Sequence, residues 1–340
     1  MVYVMMSQLL RGGCMAKPAG HHINYQQFVF TIDPEEPLIL PSYKGSTLRG
    51  GFGYAFRRIV CAIRNKECPD CILKERCVYS YVFETVPPSD TKIMRKYPTA
   101  PHPFVIEPPN ERRRGYKPGD KIDFGLTLIG KAVDYLPYFI YAFAELGQIG
   151  IGKGKAKYQL KSVSCGEKTI YDSASKTLKA CSSSYLFFPQ SLSFPFDRAG
   201  RGMRTVSLFF STPTRLVFDG HLNIDLEFHI FIRQLLRRIA LLYYFHCGGD
   251  TAELDFKGII EKSKEVKVKR RNLHWYDWQR YSGRQGTRMK LGGFVGTITF
   301  EGPVGPFIPI IEAGEILHVG KGTAFGLGKY AVVKDGRGKW

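Results

Sequence analysis

Acidic side chains are scarce in this 340-residue chain: 30 Asp and Glu stand against 49 Lys and Arg, a formal net charge of +19. Such a deficit points to a polyanionic partner, nucleic acid first and an anionic membrane surface second. Long apolar runs are missing too. The most apolar stretch, Ile230 to Cys247, is interrupted by Arg233, Arg237 and Arg238, so no membrane span is expected. Met1–Leu10 is apolar but short, and no convincing cleavage site follows it. Met15 offers an alternative start, and residues 1–24 are expected to be an N-terminal extension. A further absence removes an enzyme class. Gly147-x4-Gly152-Lys153 resembles a phosphate-binding P-loop, but Gly154 stands where a Ser or Thr is required, so a nucleoside triphosphatase is excluded.

What the chain does have begins with ordinary bulk composition. It is 44% hydrophobic and 23% charged, as in a globular protein long enough for two domains. Aromatics reach 14% and many lie beside basic residues, which favours nucleic acid over membrane, because single strands are held by base stacking. The stretch that looks most like a site is Leu317 to Tyr330. There His318 is followed by Gly320, Gly322, Gly326 and Gly328, with Lys321 and Lys329 near the two ends. Glycines so spaced allow positive φ and let successive N–H groups line a concave nest for an anion. A fainter copy, Gly147 to Lys155 with Lys153 inside it, suggests two related halves.

Two further patterns carry chemistry. Cys61, Cys68, Cys71 and Cys77 include a C-x2-C pair, and four thiolates can close a tetrahedron about a metal. Structural zinc is expected, with an iron–sulfur cluster as the alternative on the same ligands. Eight cysteines without a signal peptide point to a reducing, cytoplasmic compartment, where metal ligation is favoured over disulfides. The second pattern runs from Val266 through Arg270 and Arg271 to Trp275, Tyr276, Arg280 and Tyr281. It interleaves aromatics with arginines, as stacking plus phosphate neutralisation requires, although one face of such a strand belongs in a core.

Periodicity predicts strands over 25–32, 121–128, 157–163, 203–210, 266–271, 291–300 and 329–333. Helices are predicted from a Ser46 or Thr47 cap to about Arg64, and over 134–146, 224–246 and 307–317. Gly50, Gly51 and Gly53 weaken the first helix and make sense only if an element or RNA packs close, with Arg49 beside them as a ligand contact. Each half then reads βαββαβ, an α+β fold of two tandem ferredoxin-like (RRM-like) domains. The expected limits are 25–165, with a cysteine insertion at 61–77, then a connection over 166–202 and a second domain over 203–340.

With these motifs in view, the chain resembles the CRISPR-associated endoribonucleases of the RAMP superfamily that process precursor CRISPR RNA, most of all the branch with a cysteine cluster. The resemblance covers about residues 25–335. It rests on Tyr43-Lys44-Gly45-Ser46-Thr47-Leu48-Arg49-Gly50-Gly51-Phe52-Gly53, the four cysteines with Tyr79 to Glu84, Asp277 to Gln285, Lys290 to Gly293, and the glycine-rich loop from His318. It implies binding of a CRISPR repeat RNA and metal-independent cleavage to a 2′,3′-cyclic phosphate and a 5′-hydroxyl. Other CRISPR effector subunits are possible partners. In a non-catalytic alternative, the chain holds guide RNA in an effector complex without cutting. Members of the family place a histidine around the first helix and strand; here none lies in or near Thr47–Arg64. The proton-transfer role is therefore expected at His318, with Tyr281 or Tyr43 as a second group and Lys321 and Arg280 as cation donors. RNA contacts are expected from Lys44, Arg49, Lys153, Arg270, Arg271, Arg280, Arg284, Lys329 and the four glycines Gly320, Gly322, Gly326 and Gly328.

Overall fold

The computed structural model describes residues 21–63, 65–93, 99–189, 205–222, 224–252, 254–277, 279–282 and 287–333. It describes only the backbone of 279–282 and 287–290. The chain divides into two compact units, residues 1–185 with 245–247, and residues 186–244 with 248–340.

In the first unit, β1 (His22–Pro34) is followed by α1 (Gly45–Val60), β2 (Phe104–Glu107), β3 (Ile122–Ile129), α2 (Leu136–Ile149) and β4 (Tyr158–Cys165). The strands lie in the order β2-β3-β1-β4, every pair antiparallel. Numbered within the unit this is 2-3-1-4, the ferredoxin-like order. The alternation that marked β1 in the sequence sends Phe28, Phe30 and Ile32 into the core, and Phe30 stacks on its register partner Phe124 at 5.3 Å between ring centroids. Phe52 of α1 closes that core from above, stacked on Phe139 of α2 at 4.7 Å.

Two expectations need correction here. The first helix starts at Gly45 behind Lys44, without a side-chain cap, and ends at Val60, so Ser46 and Thr47 sit inside its first turn. The expected connection over 166–202 is partly sheet. β5 (Lys168–Asp172) pairs with β4, and β6 (Ser184–Phe187) pairs with β1. Cys165 at the end of β4 and Cys181 in this segment form a disulfide, so two of the eight cysteines pair with each other, against the expectation for a reducing compartment.

The second unit repeats the design. β7 (Thr205–Thr214) leads to α3 (Phe228–Cys247), a short α4 (Phe256–Ser263), β8 (Lys267–Tyr276), the hairpin β9 (Gln279–Ser282) and β10 (Thr287–Lys290), β11 (Gly293–Glu301), α5 (Ile308–Leu317) and β12 (Tyr330–Val333). Its main sheet runs β8-β11-β7-β12, again antiparallel and again 2-3-1-4 within the unit. The two halves share a finer device as well. A tyrosine on the fourth strand of each βαββαβ repeat, Tyr158 and Tyr330, is fully buried and donates its hydroxyl proton to a carbonyl of the preceding helix, Phe143 and Ile311 respectively. A burial that deep requires such a partner for the phenol. Tandem ferredoxin-like architecture, expected from the pattern, is what the chain adopts. None of the described helices is long and apolar enough to cross a membrane.

Candidate functional site

The glycine-rich loop joins α5 to β12 in the second unit. Gly320, Gly322, Gly326 and Gly328 all have φ between +73° and +83°, as the sequence spacing demanded. The reason differs from the one expected. A Cβ on Gly320 would run into the Arg215 carbonyl, and one on Gly328 into the Val319 carbonyl. The loop is folded tightly against its own backbone and the turn after β7. Several of its amides are engaged there: Lys321 N–H donates to the Arg215 carbonyl at 3.0 Å, and Gly328 N–H to that of Pro213 at 3.1 Å. Thr212 Oγ1 accepts from Lys329 N–H and donates to the Gly326 carbonyl, both at 2.9 Å. Lys321 is exposed and Lys329 half-buried.

His318 caps α5 with φ +59° and no exposed surface, and its Nδ1 lies 3.1 Å from the Leu327 carbonyl. A proton-transfer group has to reach the 2′-oxygen of its substrate. In this structure the ring instead ties the two ends of the loop together. Beneath the loop, Arg238 of α3 is buried and donates from Nε to the Leu317 carbonyl at 2.6 Å, while its Nη2 has no partner among the described residues. Burial pushes its guanidinium down from the ordinary value. Sequence reading gave Arg238 no role in the site because it sits in an apolar helix among other arginines.

The basic strand is more exposed than anticipated. β8 is the edge of its sheet, and only Val268 and Leu273 along it are half-buried. Arg270, Arg271, His274, Trp275 and Tyr276 face solvent, with Arg271 paired to Asp225 at 2.9 Å and Lys269 to Glu301 at 2.6 Å. An exposed cationic edge with two aromatic rings suits a flexible polyanion. The backbones of Arg280 and Tyr281 follow in β9, while Arg284 lies outside the described residues.

In the first unit the expected contacts separate. Lys44 is 1% exposed, and its ammonium donates to the Glu111 carbonyl at 2.9 Å, so it supports a loop rather than facing outward. Tyr43 is held protonated well above the ordinary phenol range by burial and, second, by Glu107. A phenol in that state cannot serve as a base. Lys153 is exposed, on the loop after α2, with its own N–H bonded to the Ile39 carbonyl. Arg49 is half-buried, and its Nη2 lies 2.7 Å from His102 Nε2. The same guanidinium lies over the Phe83 ring at 4.2 Å, and the His102 ring meets Phe104 edge-on at 5.5 Å. His102 escaped the sequence reading because it lies in a proline-rich stretch, 53 residues from its partner.

The helix glycines are explained by packing. A Cβ on Gly51 would stand 2.8 Å from Leu146 Cδ2, and one on Gly53 would enter the Phe83 ring, whereas nothing approaches Gly50. The cysteines follow α1. Cys61 caps it, Cys68 to Asp70 make one helical turn, and Cys71 N–H donates to the Cys68 carbonyl. Burial, then Glu84, pushes the Cys68 thiol up to about 11. Four thiols in 17 residues are a suitable donor set by chemistry, but among the described residues no three His, Cys, Asp or Glu side chains stand together as metal ligands.

Comparison with known proteins completes the picture. Residues 208–330 match the family model described as CRISPR-associated endoribonuclease Cas6. That match lies in the second half of the chain and covers 123 of its 340 residues. Residues 23–183 match a second model, described only as an N-terminal domain. An uncharacterised protein of Archaeoglobus fulgidus is 24% identical over 301 residues, covering 86% of this chain and 92% of that one. Among solved structures, a Cas6 product complex superposes with a TM-score of 0.51 at 16% identity, over 91% of this chain and 99% of its own. A chain of a partial Cas6-RT-Cas1–Cas2 complex gives 0.53 at 12% identity over 94% of this chain, which spans 47% of that longer one. At such identities the two structures speak for the fold alone, and the Cas6 family model speaks for residues 208–330.

Proposed function

We propose that this chain is a Cas6-type endoribonuclease that binds the repeat of a precursor CRISPR RNA and cuts it without a catalytic metal. The 2′-oxygen attacks the adjacent phosphorus, leaving a 2′,3′-cyclic phosphate and a 5′-hydroxyl. The observation that carries the reading is the coincidence of the Cas6 match with the unit whose edge strand β8 exposes Arg270, Arg271, Trp275 and Tyr276. Lys321 and Lys329 beside the glycine-rich loop add cations for the RNA backbone. The chemistry asks for a base on the 2′-OH, a cation for the charge growing on the phosphate, and a proton for the leaving oxygen. Zinc held by Cys61, Cys68, Cys71 and Cys77 would order the segment after α1 and take no part in the reaction; drawing the four sulfurs together is what binding would accomplish.

A 5′-labelled RNA spanning one repeat, incubated with the chain in excess EDTA, tests the reading. One sharp cut is expected, abolished by a 2′-deoxy substitution at the cleavage position. A second reading is favoured by the complete burial of His318: a subunit that holds guide RNA without cutting it. Tight binding with no product would establish that reading instead.

A further inference from the structure

The cleavage reading leaves its proton acceptor unassigned, because the histidine beside the glycine-rich loop is enclosed by that loop. In the first unit His102 is in contact with a guanidinium, that of Arg49. Arginine has donors only, so at 2.7 Å its Nη2 donates and His102 Nε2 accepts. Nε2 therefore carries a lone pair, the form of imidazole that takes a proton. The ring is held by aromatic edges, Phe104 at 5.5 Å and Phe83 at 6.3 Å, and Arg49 is held by the face of Phe83 at 4.2 Å. Both groups remain half-buried rather than enclosed. Phe83 fills the space over Gly53, one turn on from Arg49, and so backs the pair. A base and a permanent cation, half-buried and pre-oriented against each other, are two of the three groups that RNA transesterification needs.

We infer that His102 is the general base of RNA cleavage and Arg49 the cation that stabilises the phosphate during attack. This rests on the ribonuclease reading above. With RNA bound, Arg49 turns its N–H groups to the non-bridging phosphate oxygens, a contact that guanidinium geometry favours, and so frees Nε2. Nε2 takes the 2′-OH proton as the 2′-oxygen forms its bond to phosphorus. The bond from phosphorus to the 5′-oxygen breaks, that oxygen takes a proton from water, and the imidazolium returns its own proton to solvent. The RNA is neither oxidised nor reduced.

The test compares single-turnover cleavage by the full-length wild type, His102→Ala, His102→Gln, Arg49→Ala and Arg49→Lys on labelled repeat RNA, with RNA affinity and melting temperature measured alongside. Loss of a positioned base costs about 10²–10⁴-fold in rate. That loss is expected for both His102 variants, with affinity held near wild type, and Arg49→Lys should recover part of what Arg49→Ala loses. A substrate with sulfur in place of the leaving 5′-oxygen separates base from acid. A thiolate departs without a proton, so the His102→Ala deficit should persist on it. If the deficit vanishes there, His102 is an acid and the assignment falls. If His102→Ala cuts as fast as wild type, the assignment also falls while the ribonuclease reading stands. If the wild type binds but never cuts, the ribonuclease reading itself has failed. His102→Gln keeps a hydrogen-bond acceptor for Arg49, so a variant that folds and binds yet does not cut excludes a purely structural role.

Discussion

Three neighbouring glycines of α1 offer a controlled test of what positions the first unit. Alanine is a better helix former than glycine by about 1 kcal/mol, so the same substitution starts with the same gain at each site. The surroundings then decide. At Gly50 nothing meets the new methyl group, and the full gain of about 1 kcal/mol is expected. At Gly51 the methyl would stand 2.8 Å from the end of the Leu146 side chain. A leucine tip can move, so repacking should offset the gain and leave a change of about zero. At Gly53 the methyl would occupy the ring of Phe83, which is stacked on Tyr79 at 5.4 Å and covered by Arg49 at 4.2 Å. Overpacking typically costs about 1–3 kcal/mol, and here the ring is confined on two sides, so Gly53→Ala should lose about 2 kcal/mol net. Trp275, Trp278 and Trp340 are the chain's three tryptophans, and none lies in the first unit, so intrinsic fluorescence would report the wrong half. Hydrogen exchange of α1 amides is the suitable assay. Protection should rise for Gly50→Ala and fall for Gly53→Ala. Equal protection in the two variants would refute the claim that Phe83 fills the space beside Gly53. Because Phe83 supports Arg49, the Gly53 variant should also lose cleavage rate while Gly50→Ala keeps it.

Other outcomes follow from single residues. Arg238→Met should raise the thermal midpoint, because exchanging a buried charge for an apolar side chain commonly stabilises by about 1–4 kcal/mol, and should weaken RNA binding by loosening Leu317 at the base of the glycine loop; a lowered midpoint would show that the bond to the Leu317 carbonyl outweighs the cost of burial. Arg270→Ala on the edge of β8 should flatten the salt dependence of RNA affinity by about 0.7 in the log–log slope, one single-strand phosphate contact; an unchanged slope would remove β8 from the interface. Elemental analysis of the purified chain should find one zinc, released by Cys71→Ser with a drop in melting temperature; iron and a visible absorbance band would favour the cluster instead, and metal-free protein would dismiss both.

The two halves were legible in the sequence because their marks are local. Glycine loops of similar spacing precede the last strand of each unit, and period-two apolar patterns outlined most of the strands of both sheets. The shared tyrosine bond, from Tyr158 and Tyr330 to the helix before each, lay within reach of that reading but not in it. β5 and β6 were missed for the opposite reason. They are short, with only Ile170 buried in β5 and no residue buried in β6, and their pairing with β4 and β1 supplies what their own sequences do not.

The candidate site divides along the same line. Glycine spacing correctly announced positive φ, but positive φ has two uses, and the sequence cannot tell a backbone that opens toward a ligand from one that folds on itself. The Arg215 and Val319 carbonyls, which stand where Cβ atoms of Gly320 and Gly328 would be, decide for the second use at those two positions. That in turn accounts for His318: a loop packed so closely needs a polar clasp between its ends, and a ring nitrogen 3.1 Å from the Leu327 carbonyl provides one. His102 has the reverse history. Nothing around it in sequence distinguishes it, since prolines and charges on either side read as loop. Its meaning arises only when the first unit folds and brings a guanidinium from α1 to its ring. A histidine next to a motif invites a functional role by proximity in the chain. A half-buried histidine 2.7 Å from an arginine has that role argued by proximity in space, the only kind that a proton transfer can use.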